Sequence, residues 1–554
     1  MIALVGTAAA QTFGSSDYFV ETVATNLSQP TTMAFVGSDT FLICEKETGR
    51  VKRVVNGVVE GIALDLAVST TGERGLLGIC LHPNFATNGF VYAYYSRAPS
   101  DGGSWVDNRI DRFRYNDGIL SFNAGVASFP VDPNQANGPI HNGGIILIGP
   151  DDKLYAITGD LNRGRLSNPR IEQNSATELA SGVGGIHRYN LDGTIPLDNP
   201  FVLHPDPKIR TMWAYGVRNS FGMTVDPLSG RIWFTENGPN NYDEVNVVPE
   251  PGMNSGWLKI IGPDSRNAEY SENGFNPYDA DDLTELPSSY YRDPEFSWLS
   301  TIGPTSILFL TSAKMGEAER NHCLIGDTNN GDLYLFEMDP HREHFDLDGP
   351  LSDRVADNSG ERGLNEYGSG WGIVTDLEIG PDGYIYVSSL SSGKVFRIRP
   401  KVETITPNNF SMFRGSVVSG GLADLAVSDD SRLVMRPGSV FSTSEAQIQV
   451  ILDGSSPFPN PSHLRFQVES HASSGNVVQT ISLFNDDTQR YELLGTVELT
   501  SQDTVATVEV PSNAGRFVGS NGAIRARVNF KTTGTVFVFP WLARVDLTAW
   551  TITR

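Results

Sequence analysis

Cysteine is scarce in this chain: three residues in 554, Cys44, Cys80 and Cys323. Their spacing matches no zinc or thiol-redox motif. A Cys44–Cys80 bridge and three buried thiols both suit the sequence, and the odd count leaves at least one sulfur unpaired. No run of about 18 apolar residues occurs, so nothing reads as a membrane-spanning helix. Cations are also in short supply, with 41 Lys and Arg against 65 Asp and Glu and a formal charge of −24. A surface so acidic repels phosphate backbones, which argues against nucleic acid as a partner. EF-hand loops, P-loops, dinucleotide glycine fingerprints and serine-hydrolase elbows are all missing.

What the chain has in quantity is Gly (56), Pro (32) and aromatics (10%). That composition suits many short strands joined by tight turns, and the length suits two or three domains. Residues 1–10 end in Ala8-Ala9-Ala10 before Gln11 and read as the remnant of a secretory signal with an A-x-A cleavage site, although the basic n-region is absent. A disordered apolar tail is the other reading. The acidic balance fits a secreted protein, extracellular or periplasmic.

A turn-then-strand unit recurs: Asp or Asn with Gly, then alternating aliphatic and aromatic residues. It appears at Gly37–Val54, His82–Ser96, Gly149–Asp160, Asp226–Gly238, Cys323–Met338 and Gly380–Arg399. Period-two alternation after a glycine turn marks antiparallel hairpins. Six such units predict an all-β fold, a six-bladed β-propeller over residues 16–400. Irregular spacing between them predicts long loops on one face, where a propeller builds its site. From residue 404 the hairpin pattern gives way to Ser/Thr-rich amphipathic segments such as Ala446–Leu452, Leu464–Glu469, Thr504–Val510 and Ile524–Phe530. Residues 404–554 therefore read as a C-terminal β-sandwich, an accessory module for binding, spacing or self-association.

Four segments carry candidate chemistry. Gly72-Glu73-Arg74-Gly75 precedes a strand, and its glycines suit a blade-closing turn as well as a ligand loop; Glu73 is the residue least needed by a turn. His141-Asn142-Gly143-Gly144 stands before a hairpin that ends at Asp160. A His with a near-neutral pKa suits a general base, and a carboxylate can hold its tautomer, as in catalytic triads; a structural His is the plainer reading. Arg218-Asn219 offers a planar donor fork for a carboxylate or quinone oxygen, or for a surface acid. Gly238-Pro239, flanked by Glu236, Asp243 and Glu244, forms an oxygen-rich turn of the kind that suits Ca²⁺.

In order along the chain, GERGLLG, HPNF, HNGG, GPDDKLYAITGD, DGTIPLDNPF, YGVRN, ENGPNNYDEVN and GPDGYIYV resemble the soluble PQQ-dependent glucose/sorbosone dehydrogenases, which include the aldose sugar dehydrogenases. The resemblance implies a six-bladed propeller that oxidises an aldose C1 hydroxyl to the lactone. Hydride passes to PQQ, and electrons then pass to an external acceptor. By position, His141 would be the base, Asp160 its orienting carboxylate, and Arg218 and Asn219 ligands of PQQ oxygens; the carbonyls of Gly238 and Pro239 would hold Ca²⁺. Glu73 stands where the family often has Gln. Asn329 and Thr375 stand in the stretches where the family has the Lys and Arg that neutralise the PQQ carboxylates. Those departures leave a second expectation open, a scaffold that binds carbohydrate, protein or its own copies without catalysis.

Overall fold

The computed structural model describes residues 11–130, 139–161, 170–175, 179–269, 278–317, 319–534 and 540–554. The proposed signal remnant at 1–10 lies outside them. The chain divides into two compact units, Met1–Arg399 and Pro400–Arg554. Strand dominates both, and the described helices are short.

Among the described residues the first unit holds six separate sheets, taken mostly in chain order. The first has Pro30–Gly37, Thr40–Glu45, Arg50–Val55 and Val58–Asp65; the second has Leu76–Leu81, Phe90–Arg97, Asp107–Asn116 and Ile119–Pro130. The third runs Ile146–Ile148, Leu154–Thr158, Gly185–Tyr189 and Met212–Tyr215, then adds the short parallel pieces Met253–Asn254 and Tyr290–Tyr291. The fourth is Met223–Val225, Ile232–Glu236, Asn241–Val248 and Phe296–Ser300, with Val355–Ala356 beside it. Pro304–Phe309, Cys323–Asp327, Leu333–Phe336 and Glu366–Gly368 make the fifth. The sixth takes Val374–Ile379, Ile385–Ser389 and Lys394–Pro400 from one end of the unit and Tyr18–Ala24 from the other.

Each sheet packs its side chains on the next. Leu42, Cys44 and Val51 of the first meet Leu76, Val91 and Phe113 of the second. Trp233, Phe296 and Trp298 of the fourth meet Phe309, Ile325 and Phe336 of the fifth. The series closes on itself, because Met33, Phe41 and Val54 of the first also pack on Tyr386 and Val395 of the sixth. The first strands of all six sheets line a common cavity that includes Thr32, Ile79, Ile146, Met223, Ile307 and Thr375. Apolar side chains such as Met33, Ile79, Leu147, Ile307 and Leu377 of these inner strands line it. The loops that lead into them, at 141–145, 218–222 and 301–304, therefore come together near one end of that cavity.

Cys44, Cys80 and Cys323 are all free thiols, with Cys44 and Cys323 buried. The Cys44–Cys80 bridge is therefore not formed. Cys44 sits in the core between the first two sheets and Cys80 packs against the core between the second and third, and burial pushes both thiols far above their ordinary range.

The described residues of the second unit form two sheets. One orders Ser416–Ser419, Leu433–Arg436, Ala543–Thr553, His463–Ala472 and Thr504–Val510, with Val402–Ile405 also on Ala543–Thr553. The other orders Asn409–Arg414, Ile448–Ser455, Ala523–Thr532, Val477–Asn485 and Arg490–Leu499. Side chains alternate between buried and accessible along His463–Ala472 and Ile448–Ser455, as one-sided strands require. Trp550 of one sheet packs on Phe466 and reaches the bare backbone of Gly454 in the other. The hairpin Val477–Asn485/Arg490–Leu499 shows that hairpins persist beyond residue 404; its turn, Asp486-Asp487-Thr488-Gln489, contains no glycine, so the glycine-turn pattern does not mark it.

Candidate active site

His141 sits at the centre of the loop cluster. Its backbone is left-handed (φ 61°), an unusual conformation for a residue with a side chain, and of a kind that costs about 1–3 kcal/mol. Glu73 helps hold it there: its carboxylate accepts the backbone N–H of His141 at 2.5 Å and that of Asn142 at 3.2 Å. Asn142 is buried, donating to the Pro139 carbonyl and accepting from Asn108, while its own carbonyl accepts from Tyr94. Gly143 follows with φ 61°, and a Cβ there would stand 2.5 Å from the Ile157 carbonyl. The glycine pair thus lets this loop lie against the Leu154–Thr158 strand.

That contact brings Asp160 to the imidazole. His141 Nδ1 lies 2.6 Å from Asp160 Oδ1, and both side chains are almost fully buried. With a carboxylate at Nδ1, the proton of the neutral ring belongs on Nδ1, which leaves the Nε2 lone pair free. Gly159 allows the crossing, since a Cβ there would lie 2.5 Å from the His141 carbonyl and 2.8 Å from that of Arg218. The Arg218 carbonyl also accepts the Asp160 N–H at 2.8 Å, so the His141 and Arg218 loops are tied at one point.

Arg218 Nη1 donates to the Asn237 carbonyl at 2.6 Å, and its guanidinium lies 5.4 Å from the Trp257 ring centroid. Its backbone N–H goes to Glu236, whose second oxygen accepts from Ser255. Asn219 is buried; its amide reaches both Glu73 oxygens at 3.4 Å, and its carbonyl oxygen has no partner among the described residues. A buried amide oxygen left in that state marks a place where a ligand can bond.

Gly238 and Pro239 follow directly. Asp243 pins their turn: one oxygen accepts the Gly238 N–H at 2.8 Å, the other the N–H groups of Ile302 and Gly303, each at 2.6 Å. The region is acidic and desolvated. Burial, and then the neighbouring Glu244 charge, raise Glu236 well above its ordinary value; burial raises Glu244 to about 8. Burial also lifts Glu73, against the opposing pull of His141 and of the N–H groups it accepts.

The remaining two predicted residues are placed differently. Asn329 donates to the Thr301 carbonyl at 3.2 Å, on the loop whose next residues bond Asp243. Thr375 lines the common cavity and donates to the Pro30 carbonyl at 2.8 Å. Neither carries charge, and both hydrogen-bond within the protein. Two residues were not singled out for a role from sequence. Trp257 donates its indole N–H to Asp160 Oδ2 at 2.8 Å, and Asp243 orders the carbonyl turn. Spacing along the chain signals neither role, because Asp160 lies 97 positions from Trp257, and Ile302 and Gly303 lie 59 and 60 positions from Asp243.

The first unit is similar to known proteins over most of its length. Residues 27–397 match the family model described as glucose/sorbosone dehydrogenase. An uncharacterised protein of Synechocystis is 30% identical over 394 residues, covering 68% of this chain and 85% of the relative. The aldose sugar dehydrogenase of Escherichia coli is 26% identical over 388 residues, covering 69% and 93%. A solved structure described as a putative oxidoreductase (glucose dehydrogenase) from Thermus thermophilus superposes with a TM-score of 0.51 at 26% identity, over 69% of this chain and 99% of that one. The chain belongs to the glucose/sorbosone dehydrogenase family.

Proposed function

We propose that the first unit is a six-bladed β-propeller that oxidises an aldose at its C1 hydroxyl to the lactone, using PQQ and Ca²⁺ in the cleft around His141. The observation that carries this reading is the buried His141–Asp160 pair, set 2.6 Å apart at the meeting point of the loops that also hold Arg218 and Asn219. Nε2 of His141 takes the C1 hydroxyl proton, and Asp160 stabilises the imidazolium that forms. When bound, PQQ supplies a quinone that accepts the C1 hydride, and Ca²⁺ supplies Lewis acidity.

The residues fit the reacting end of that cofactor. Arg218 retains donors beyond its bond to Asn237, the Asn219 amide N–H2 reaches Glu73 only at 3.4 Å and can turn a donor to a quinone oxygen, and Asp243 holds the turn whose Gly238 and Pro239 carbonyls would bind Ca²⁺. They match the carboxylate end less well, because Asn329 and Thr375 are neutral and Glu73 adds negative charge. That end supports a second reading, a propeller that binds carbohydrate without oxidising it. Titrating the protein with PQQ and Ca²⁺ and assaying aldoses with an artificial electron acceptor separates the two. Saturable binding with dye reduction is expected; a folded protein that shows neither supports the second. His141→Ala is expected to abolish turnover and spare cofactor binding, and retained turnover rules out the base assignment.

For the second unit we propose a β-sandwich that serves binding or self-association. Export from the cytoplasm is proposed from residues 1–10 and the acidic charge; the N-terminal sequence of the exported protein tests it.

A further inference from the structure

We propose that Trp257 is a positioning residue that locks Asp160, and through it the His141 imidazole, while its ring face holds Arg218. The inference rests on His141 being the base of the proposed reaction. Asp160 Oδ2 accepts the Trp257 indole N–H at 2.8 Å while Oδ1 faces His141 Nδ1 at 2.6 Å. The two bonds occupy opposite oxygens of one carboxylate, so the carboxylate cannot rotate without breaking one of them. A buried indole N–H with a charged acceptor forms a strong, directional bond.

Trp257 is itself firmly placed. Its N–H donates to the Gly216 carbonyl at 3.0 Å, and its carbonyl accepts from Asn174 at 2.8 Å. Asn174 also exchanges two hydrogen bonds with Asn254, at 2.7 and 2.9 Å, which fixes the loop leading to the tryptophan. Trp257 is 3% exposed. The opposite duty falls to its π-face, which carries the Arg218 guanidinium. One side chain thus ties the proton-accepting pair to the cation proposed for the cofactor.

The indole N–H draws charge from Asp160, which makes the carboxylate a weaker partner for an imidazolium. Among the described residues, the charged groups around His141 are Asp160 in contact, Glu73 on its backbone N–H, Arg218 across Trp257, and Lys46, which bonds the Gly72 carbonyl beside Glu73. Trp257→Phe keeps the ring for Arg218 and deletes only the donor.

The test follows the His141 imidazole by NMR in full-length protein without cofactor, assigned by its loss in His141→Ala, so its outcome does not depend on the proposed activity. Trp257→Phe is expected to raise the His141 titration midpoint by about half to one pH unit. Where turnover is measurable, kcat is expected to fall about tenfold with KM little changed, and the acidic limb of the pH profile, where the base loses its proton, to move with the midpoint. An unchanged midpoint in a natively folded variant overturns the proposal, whether or not the enzyme oxidises sugars. Should the variant misfold, the wild-type protein carries the test: among the indole N–H signals of its 8 tryptophans, one is expected to titrate with the His141 midpoint. Absence of such a signal overturns the proposal equally.

Discussion

Asp243 does for the Gly238–Pro239 turn what Asp160 does for His141: a buried carboxylate spends both oxygens on fixing a neighbour. Asp243→Ala leaves three backbone N–H groups without their acceptor, at about 1–3 kcal/mol each where no water replaces it. The expected outcome is a lower melting temperature and, in the proposed cofactor site, Ca²⁺ affinity weakened about tenfold or more, read by calorimetric titration. At Asn329 a cation is expected to help: Asn329→Lys should tighten PQQ binding about tenfold, with the gain shrinking at high salt. Fluorescence titration at two ionic strengths checks it, and an unchanged Kd removes Asn329 from the cofactor site. The glycine-rich HNGG loop and the Asp160 that ends the next hairpin are local features, so both stood out in the sequence. Trp257 did not, because its partner Asp160 is ninety-seven positions away and only the folded sheets bring them together.

Tyr18–Ala24 is the element on which the closed ring of sheets depends. It completes the sixth sheet beside Lys394–Pro400, where Arg397 bonds Glu21 and Asp382, each at 2.6 Å. Deleting residues 11–24 exposes the edge of Lys394–Pro400 and uncovers Phe396 and Ile398, which lie in the core between the fifth and sixth sheets. Aggregation or loss of a cooperative melt is expected by size-exclusion chromatography and circular dichroism; a deletion protein that melts like the parent would contradict this role. The hairpins of the first unit were evident from glycine turns followed by alternating residues. Tyr18–Ala24 was not, since an edge strand without a turn of its own has no partner until the distant end of the unit arrives. The same holds for Val477–Asn485 and Arg490–Leu499, whose turn lacks the glycine signal.

Across the whole molecule, acidity and burial combine to set the response to pH. Burial, the largest cause in each case, raises Asp332 to about 6, Asp376 to about 7 and Glu244 to about 8. In the unfolded chain such carboxyls ionise near pH 4. The folded state therefore holds more protons between about pH 4 and 8, and its stability falls as pH rises through that window. Self-repulsion at a formal charge of −24 acts in the same direction. The first unit is expected to melt several degrees higher at pH 5.5 than at pH 8, measured by scanning calorimetry, and an equal or higher melting temperature at pH 8 would contradict the assignment of these buried acids. Below pH 4 the trend reverses for Asp226, which two bonds from Arg342 help hold below the ordinary range.

The sequence by itself determined the all-β class, the turn-and-strand units and the family, because alternation and glycine turns are properties of neighbouring residues. Tertiary structure alone decided that Asp160 also accepts from Trp257, that Glu73 serves the His141 backbone, and that Asn329 and Thr375 bond within the protein. Each of those facts joins segments far apart in the chain, and contacts between distant segments are set by packing rather than by local pattern.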